Sequence, residues 1–305
     1  MIPAVDRIRR TLDQPSTPVI PGQLDLTRSD HVKSPVPYFG GKQRLAPWIV
    51  SQLPEHDHYV EPFAGGLSVL MAKAPSRMET VNDLDGELMT FWRVLRDQPE
   101  QLIRACMLTP HSRGELAATW DPTGDDIELA RRIWCRLAQG RSGTLRNTGW
   151  RHYIDPAGSS TSMPGYLEAY VNRLAAAAER LHAVSLENLP ALDLITKYGK
   201  QPRVLLYVDP PYLGTTRGWG NNYRHEMKTD IEHQELAAAL LDCRAPVVLS
   251  GYDSPLYDGL FTGWHRYEQA AMTGNATTDK GRTEVLWSNR ELGGQHDLFA
   301  GLESA

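Results

Sequence analysis

The residues Val208-Asp209-Pro210-Pro211-Tyr212 follow an apolar run at 204–207 and carry the most specific chemistry in this 305-residue chain. Neither proline offers an N–H to a ladder, so a strand must stop there. Asp209 and Tyr212 then stand at its carboxyl end, where open α/β sheets bind ligands. A carboxylate fixed beside a backbone carbonyl, that of Pro210, suits an exocyclic amino group. Two acceptors in set directions hold its two hydrogens and draw the nitrogen from planar conjugation towards a tetrahedral nucleophile. Tyr212 offers a ring on which a base can stack. The plainer reading is a strand-ending turn, with Asp209 capping and Tyr212 packing.

Two further stretches are candidates for a bound nucleotide-like group. In Glu61-Pro62-Phe63-Ala64-Gly65-Gly66, glycines between a strand and a helix let the backbone approach a ligand at the helix N-terminus. The pattern is neither G-x-G-x-x-G nor a phosphate loop. Asp83 closes the next strand, where an acid can accept both hydroxyls of a ribose; the simpler role is a helix N-cap. Pro37-Tyr38-Phe39-Gly40-Gly41-Lys42 precedes a helix through Leu45, Trp48 and Ile49. Its lysine either holds a carboxylate or sits solvated in an ordinary turn.

Between Arg131 and His152 lie Arg131, Arg132, Arg136, Arg141, Arg146 and Arg151, with no acidic residue. Trp134, Trp150 and Tyr153 are interleaved or adjacent. The stretch reads either as a solvated helix face and loop or as a patch that neutralises phosphates and offers aromatic surfaces to bases. His56-Asp57-His58 lacks an apparent third ligand and is not read as a metal site.

The elements that position these residues are legible in outline. Short apolar strands are expected at 58–61, 79–83, 183–186, 204–208 and 247–250, separated by helical stretches, notably 230–243. That alternation argues for a mostly parallel α/β sheet covered on both faces. Residues 265–272 and 284–287 are expected to form an antiparallel hairpin at its edge. Residues 97–182 break the rhythm with helical patterning and a Gly- and Ser-rich centre, as an inserted domain would. Residues 1–34, with Pro3, Pro15, Pro18 and Pro21, read as a flexible tail.

Composition narrows the class. Hydrophobic residues at 41% and charged residues at 23% are those of a globular protein. Mean hydropathy is -0.42 and no run approaches the roughly 18 apolar residues of a membrane helix. Residues 1–10 lack the apolar core of a signal peptide. Cys106, Cys135 and Cys243 are scattered, which argues against a disulfide framework or zinc site and suits a cytoplasmic protein. A net charge of -5 exerts no global pull on nucleic acid, so any such contact needs a local patch.

In order, Pro-Tyr-Phe-Gly-Gly-Lys, Val-Glu-Pro-Phe-x-Gly, Asn-Asp-Leu-Asp, a long insert and Asp-Pro-Pro-Tyr resemble the Dam-type, alpha-class adenine-N6 DNA methyltransferases of phages and restriction systems. Tyr223 to Met227, His233, 247–253 and Glu284-Val285-Leu286-Trp287-Ser288-Asn289 continue the likeness, which spans about 35–290. The resemblance implies a Rossmann-like methyltransferase sheet (residues 35–96 and 183–305) with a target-recognition insert at 97–182. It implies S-adenosyl-L-methionine as cofactor, held by Tyr38, Gly40, Gly41, Lys42, Glu61, Phe63, Gly65 and Asp83. Asp209, Pro210 and Tyr212 match the catalytic block that receives a flipped adenine. Arg141, Arg146 and Arg151 fall in the DNA-contacting insert. Two departures stand out: Leu67 occupies a place often held by glycine or alanine, and the usual Asp near Pro190 is absent, leaving Glu187 or Asn188 to meet the cofactor adenine. The implied partner is double-stranded DNA, with a cognate restriction endonuclease possible in such systems. Cytosine N4, an RNA adenine, or a scaffold that binds DNA without catalysis are the alternatives.

Overall fold

The computed structural model describes residues 32–155, 161–213, 223–271 and 282–293. The expected tail at 1–34 falls outside them except for its last three residues, of which Ser34 is buried and bonds the Val36 carbonyl. The described residues form one compact unit.

Seven strands build one sheet: β1 (His58–Glu61), β2 (Met78–Asn82), β3 (Val184–Glu187), β4 (Val204–Val208), β5 (Val247–Tyr252), β6 (His265–Ala271) and β7 (Arg282–Ser288), in the order β3-β2-β1-β4-β5-β7-β6. The first five are parallel; β7 runs antiparallel to both β5 and β6. All five residues of β4 are buried, as a central strand covered on both faces requires. The sequence stretch 265–272 pairs as an edge hairpin up to Ala271; Met272 lies outside the described residues.

Two hydrophobic clusters coat the two faces, and the two-residue side-chain period assigns each strand position to one of them. Tyr59, Leu205, Tyr207, Val248 and Leu286 belong to one cluster. Val60, Leu206, Val208, Val247, Leu249, Val285 and Trp287 belong to the other. By that parity Glu61, Asp209, Ser250 and Glu284 all face the side of Tyr207. Strand order reverses between β1 and β4, and the crevice beyond the carboxyl ends at such a switch point is where open sheets bind ligands. Glu61 and Asp209 flank it.

The second face carries α8 (Ala191–Tyr198), α9 (Asp230–Leu241) and α10 (Pro255–Leu260). The first carries α1 (Ala46–Gln52), α2 (Ser68–Ala72) and α3 (Gly86–Asp97). Asp85 caps α3 by accepting from the Leu88 N–H. Between β2 and β3 the chain continues through α4 (Pro99–Met107), α5 (Arg113–Ala118), α6 (Asp126–Gln139) and α7 (Met163–Leu181). Their buried residues, including Leu102, Trp134, Leu137, Leu174 and Ala177, join the cluster of α3 and the sheet. The segment 97–182 therefore shares the core of the sheet face it covers.

Candidate active site

The loop after β1 is shaped by backbone demands. Gly65 has φ +46 and Leu67 φ +53, so a bulky residue occupies the left-handed region, at a cost of about 1–2 kcal/mol. Burial of the Leu67 side chain, 1% exposed, offsets it. The Gly65 N–H donates to Asp83 Oδ2 at 3.0 Å, and the Asp85 N–H donates to Oδ1 at 2.9 Å. Burial pushes the Asp83 carboxyl up to about 6 despite these donors. Asp83 thus pins the loop while Asp85, not Asp83, caps the helix.

Asn82, fully buried, clamps two loops at once. Its Nδ2 donates to the Pro62 carbonyl at 2.9 Å and the Leu189 carbonyl at 3.0 Å; its Oδ1 accepts from the Leu189 N–H at 2.8 Å. Nothing in the mixed strand Met-Glu-Thr-Val-Asn singled it out in the sequence. Asn188 is exposed, donates to the Asp83 backbone carbonyl at 2.6 Å and does not line the cavity; Pro190, Ala191 and Leu192 do.

That cavity, about 320 Å³, opens at the switch point. Tyr38, Gly40, Gly41, Lys42, Glu61, Phe63, Gly65 and Asp83 all line it, as does Asp209. Glu61 is buried, accepts from Tyr59 Oη at 2.6 Å and the Leu70 N–H at 2.9 Å, and is pushed up to about 8 by burial. Tyr223 to Met227 form another wall. Gly40 has φ +72, and a Cβ there would lie 2.3 Å from Tyr223 Oη. Arg224 grips both Asp85 oxygens, at 2.6 and 2.7 Å, and Glu87 at 2.7 Å; Arg136 reaches the same Glu87 at 2.9 Å. The cavity wall and α6 are therefore joined through the start of α3.

At the mouth of the cavity Lys42 Nζ donates to both Asp209 oxygens at 2.8 Å and to the Gly40 carbonyl at 2.9 Å. It lies 3.7 Å from Glu284 Oε1 and 4.7 Å from the Tyr212 ring centroid. Burial opposes its charge, but Asp209 and Glu284 outweigh that and hold the ammonium well above its ordinary value. Ser250 Oγ donates to Asp209 Oδ1 at 2.9 Å and lies 3.1 Å from Tyr207 Oη. Tyr212 is buried; its hydroxyl donates to Glu284 and its ring meets Tyr252 edge-on at 4.6 Å. Burial and then the neighbouring Asp209 raise the pKa of Tyr207 and Tyr212, so these two hydroxyls stay protonated. Burial also raises Glu284, against the pull of Lys42. Pro210 is buried, and neither it nor Tyr212 is among the residues lining the cavity. Glu284 and Ser250 entered the sequence reading only within the later blocks of the family resemblance, without a role of their own.

In the insert, Arg131 and Arg132 both bind Glu128, Arg131 also binds Glu115, and Arg136 binds Glu87. Arg151 lies over the Tyr166 ring at 5.1 Å and donates to its hydroxyl. Arg141 and Arg146 are exposed and form no ion pair among the described residues. Their loop closes on itself: the Arg141 N–H donates to the Gly149 carbonyl at 3.0 Å, and the Arg151 N–H to the Gln139 carbonyl at 2.8 Å. It also touches the cavity's first motif, since the Phe39 N–H donates to the Gly143 carbonyl at 2.8 Å. A Cβ on Gly143, φ +61, would lie 3.0 Å from the Pro37 carbonyl oxygen.

A mostly parallel seven-strand sheet with an antiparallel last pair, and a cavity lined by a glycine loop and a strand-end acid, make up the ligand-binding edge of a Rossmann-like α/β enzyme. The profile of the D12 class N6 adenine-specific DNA methyltransferases matches residues 38–275, and the chain belongs to that family. A type II methyltransferase of Lactococcus lactis subsp. cremoris, M1.LlaDCHI, is 28% identical over 277 residues, 82% of this chain and 93% of its own. The retron Ec67 DNA adenine methylase of Escherichia coli is 25% identical over 263 residues, 81% of this chain and 88% of its own. Among solved structures, a SAM-dependent methyltransferase from Agrobacterium tumefaciens has TM-score 0.37 and 10% identity, over 83% of this chain and 64% of that one. The enzyme is thus a DNA adenine methyltransferase that uses S-adenosyl-L-methionine. The donor set fits that cofactor: a paired-glycine turn and Asp83 line one cavity with apolar Phe63, Pro190 and Leu192. Among the described residues no helix is long and apolar enough to cross a membrane.

Proposed function

We propose that this chain methylates N6 of an adenine flipped out of double-stranded DNA at a specific site, by direct in-line transfer. The observation that carries the reading is Asp209, fixed by Lys42 and Ser250 where β4 ends at the cavity mouth. The cofactor supplies a methyl group already activated on a sulfonium sulfur. The protein's task is then alignment and preorganised electrostatics. Asp209 and the Pro210 carbonyl accept the two N6 hydrogens and turn the nitrogen lone pair towards the methyl. Asp83 holds the ribose hydroxyls, the Glu61 loop backs the cofactor, and Pro190 to Leu192 flank its adenine, with Asn188 steadying the Asp83 backbone from outside. Flipping costs a few kcal/mol, roughly, in lost pairing and stacking; stacking of the base on the Tyr212 ring offsets part of it.

Residues 97–182 serve as the target-recognition segment, with Arg141 and Arg146 on phosphates and Arg151 bracing the loop against Tyr166. The enzyme works in the cytoplasm. The type II relative suggests a cognate restriction endonuclease, which the methylated site would resist. Incubating duplex DNA with enzyme and labelled cofactor, then identifying the modified nucleoside by mass spectrometry, tests the base. N6-methyladenine confined to one sequence context supports the reading. N4-methylcytosine, a preference for RNA, or no transfer despite cofactor binding overturns it.

A further inference from the structure

Transfer to N6 leaves a proton to be disposed of, and the residues around Asp209 show a route. As the N6 lone pair forms the new N–CH3 bond and the S–CH3 bond breaks with its electrons on sulfur, N6 must lose one hydrogen as H⁺. Asp209 is the acceptor nearest the proposed amino group, but both of its oxygens are already engaged. Its two oxygens already accept from Lys42, and Oδ1 also accepts from Ser250. The Lys42 ammonium that binds Asp209 also faces a second carboxylate, Glu284, at 3.7 Å. Parity and register bring it there: Glu284 on β7 pairs with Tyr252 on β5 and faces the side of Tyr207 and Ser250.

Resting on the amino-methylation reading above, we propose that Glu284 is the terminal proton acceptor of the reaction. Asp209 takes the proton from N6 and passes it to Lys42, while Lys42 swings the N–H now on the Gly40 carbonyl towards Glu284, 3.7 Å away, and gives that proton up. The cluster begins as Asp209 carboxylate, Lys42 ammonium and Glu284 carboxylate, and ends with only Glu284 neutral. The proton then leaves to water when product departs. Because Glu284 acts through Lys42 and Asp209, it is a positioning and relay residue and not a group touching the base.

The surroundings suit an acceptor. Lys42 comes from the segment before α1, Asp209 and Tyr212 from the turn after β4, Tyr207 from β4, and Ser250 and Tyr252 from β5. Of these, Lys42 alone is cationic. Glu284 is 3% exposed, and burial makes it a stronger base than an ordinary carboxylate. The Tyr212 hydroxyl donates to it and keeps it oriented.

Glu284→Gln keeps the acceptor for Tyr212 and removes the proton site. In single-turnover assays on duplex DNA the variant should transfer methyl about 10²-fold more slowly, the usual scale for a lost proton acceptor. Its cofactor affinity by calorimetry should match wild type. Wild type should slow as pH falls through the range where Glu284 becomes protonated, and the Gln variant should lose that limb. Glu284→Asp, which keeps a carboxylate on a shorter arm, should recover part of the rate together with a shifted limb. A Gln variant within a few-fold of wild type, or one with an unchanged pH profile, overturns the relay. If the Gln variant fails to bind cofactor, Glu284→Asp decides: loss of the limb in a folded, cofactor-binding Asp variant overturns it, and a retained, shifted limb supports it. If wild type itself methylates no adenine, the amino-methylation reading falls instead.

Discussion

Lys42 and Asp209 stand 167 positions apart in sequence, yet the lysine Nζ lies 2.8 Å from each oxygen of the aspartate. Their side chains are 5% and 21% exposed, so the pair is largely withdrawn from water. It ties the glycine motif before α1 to the end of the central strand. Asp209→Asn should lower methyl transfer about 10²–10³-fold, the scale for losing one preorganised partner, with cofactor affinity changed far less. Asp209→Ala should also destabilise the fold, because removing one member of a buried pair typically costs about 3–5 kcal/mol. Nearby Glu284 should keep the loss at the lower end. Rapid-quench transfer assays, calorimetry and urea unfolding read the three quantities. Full activity in Asp209→Asn would remove this residue from the chemistry.

Asp83 has two jobs. Its oxygens hold the Gly65 and Asp85 N–H groups, and it lines the cavity. Asp83→Ala should weaken cofactor binding more than it weakens the fold, since Asp85 independently caps α3. Unchanged affinity by calorimetry would leave Asp83 with the loop-pinning role alone.

The carboxyl of Glu61 is pushed by burial from its ordinary 4.5 to about 8, and that of Asp83 from 3.8 to about 6. Between each pair of values the folded chain keeps a proton that the unfolded chain has lost. Stability contributed by these groups therefore falls as pH rises through those windows. Glu61→Gln, which preserves an acceptor for Tyr59 and Leu70, should gain in Tm over the wild type progressively from pH 5 to pH 8 in cofactor-free protein. A Tm difference independent of pH would show that Glu61 ionises normally.

Arg141 and Arg146 are the exposed arginines of the closed insert loop. If both meet phosphates, replacing both with Ala should flatten the slope of log affinity against log salt by up to about two on duplex DNA. The loop's link to the cavity runs through the Gly143 backbone, so cofactor affinity should survive these side-chain changes. Equal slopes for wild type and double mutant would mean that neither arginine meets phosphate.

Leu67 reverses an ordinary ranking. Leu→Ala at a buried site usually costs about 2–5 kcal/mol, and Gly is usually worse than Ala. Here the backbone is left-handed, φ +53, so Gly relieves strain that Ala retains. Leu67→Gly should be at least as stable as Leu67→Ala in urea unfolding. The opposite order would place the cost of the substitution in burial alone.

Much of the frame could be read from local pattern, because local stereochemistry encodes it. The apolar run ending in two prolines had to be a strand that stops, and β4 does stop at Val208, leaving Asp209 at the carboxyl edge. The glycine loop after β1 and the hairpin at the end of the sheet were equally visible. Asn188, one of two alternatives with Glu187 for the cofactor adenine, has its amide on the Asp83 carbonyl, a contact 105 positions away that the sequence could not show.

What the chain alone determined, then, is where its strands run and which motifs end at their carboxyl tips, since two-residue periodicity, prolines and glycines act within a few positions. Tertiary structure alone decided which of those tips are neighbours. Placing β7 between β5 and β6 carries Glu284 to Tyr212 and Lys42, and setting β4 beside β5 puts Ser250 on Asp209. Strand order is settled by the packing of both hydrophobic faces at once, a sum over distant contacts that no single segment of sequence records.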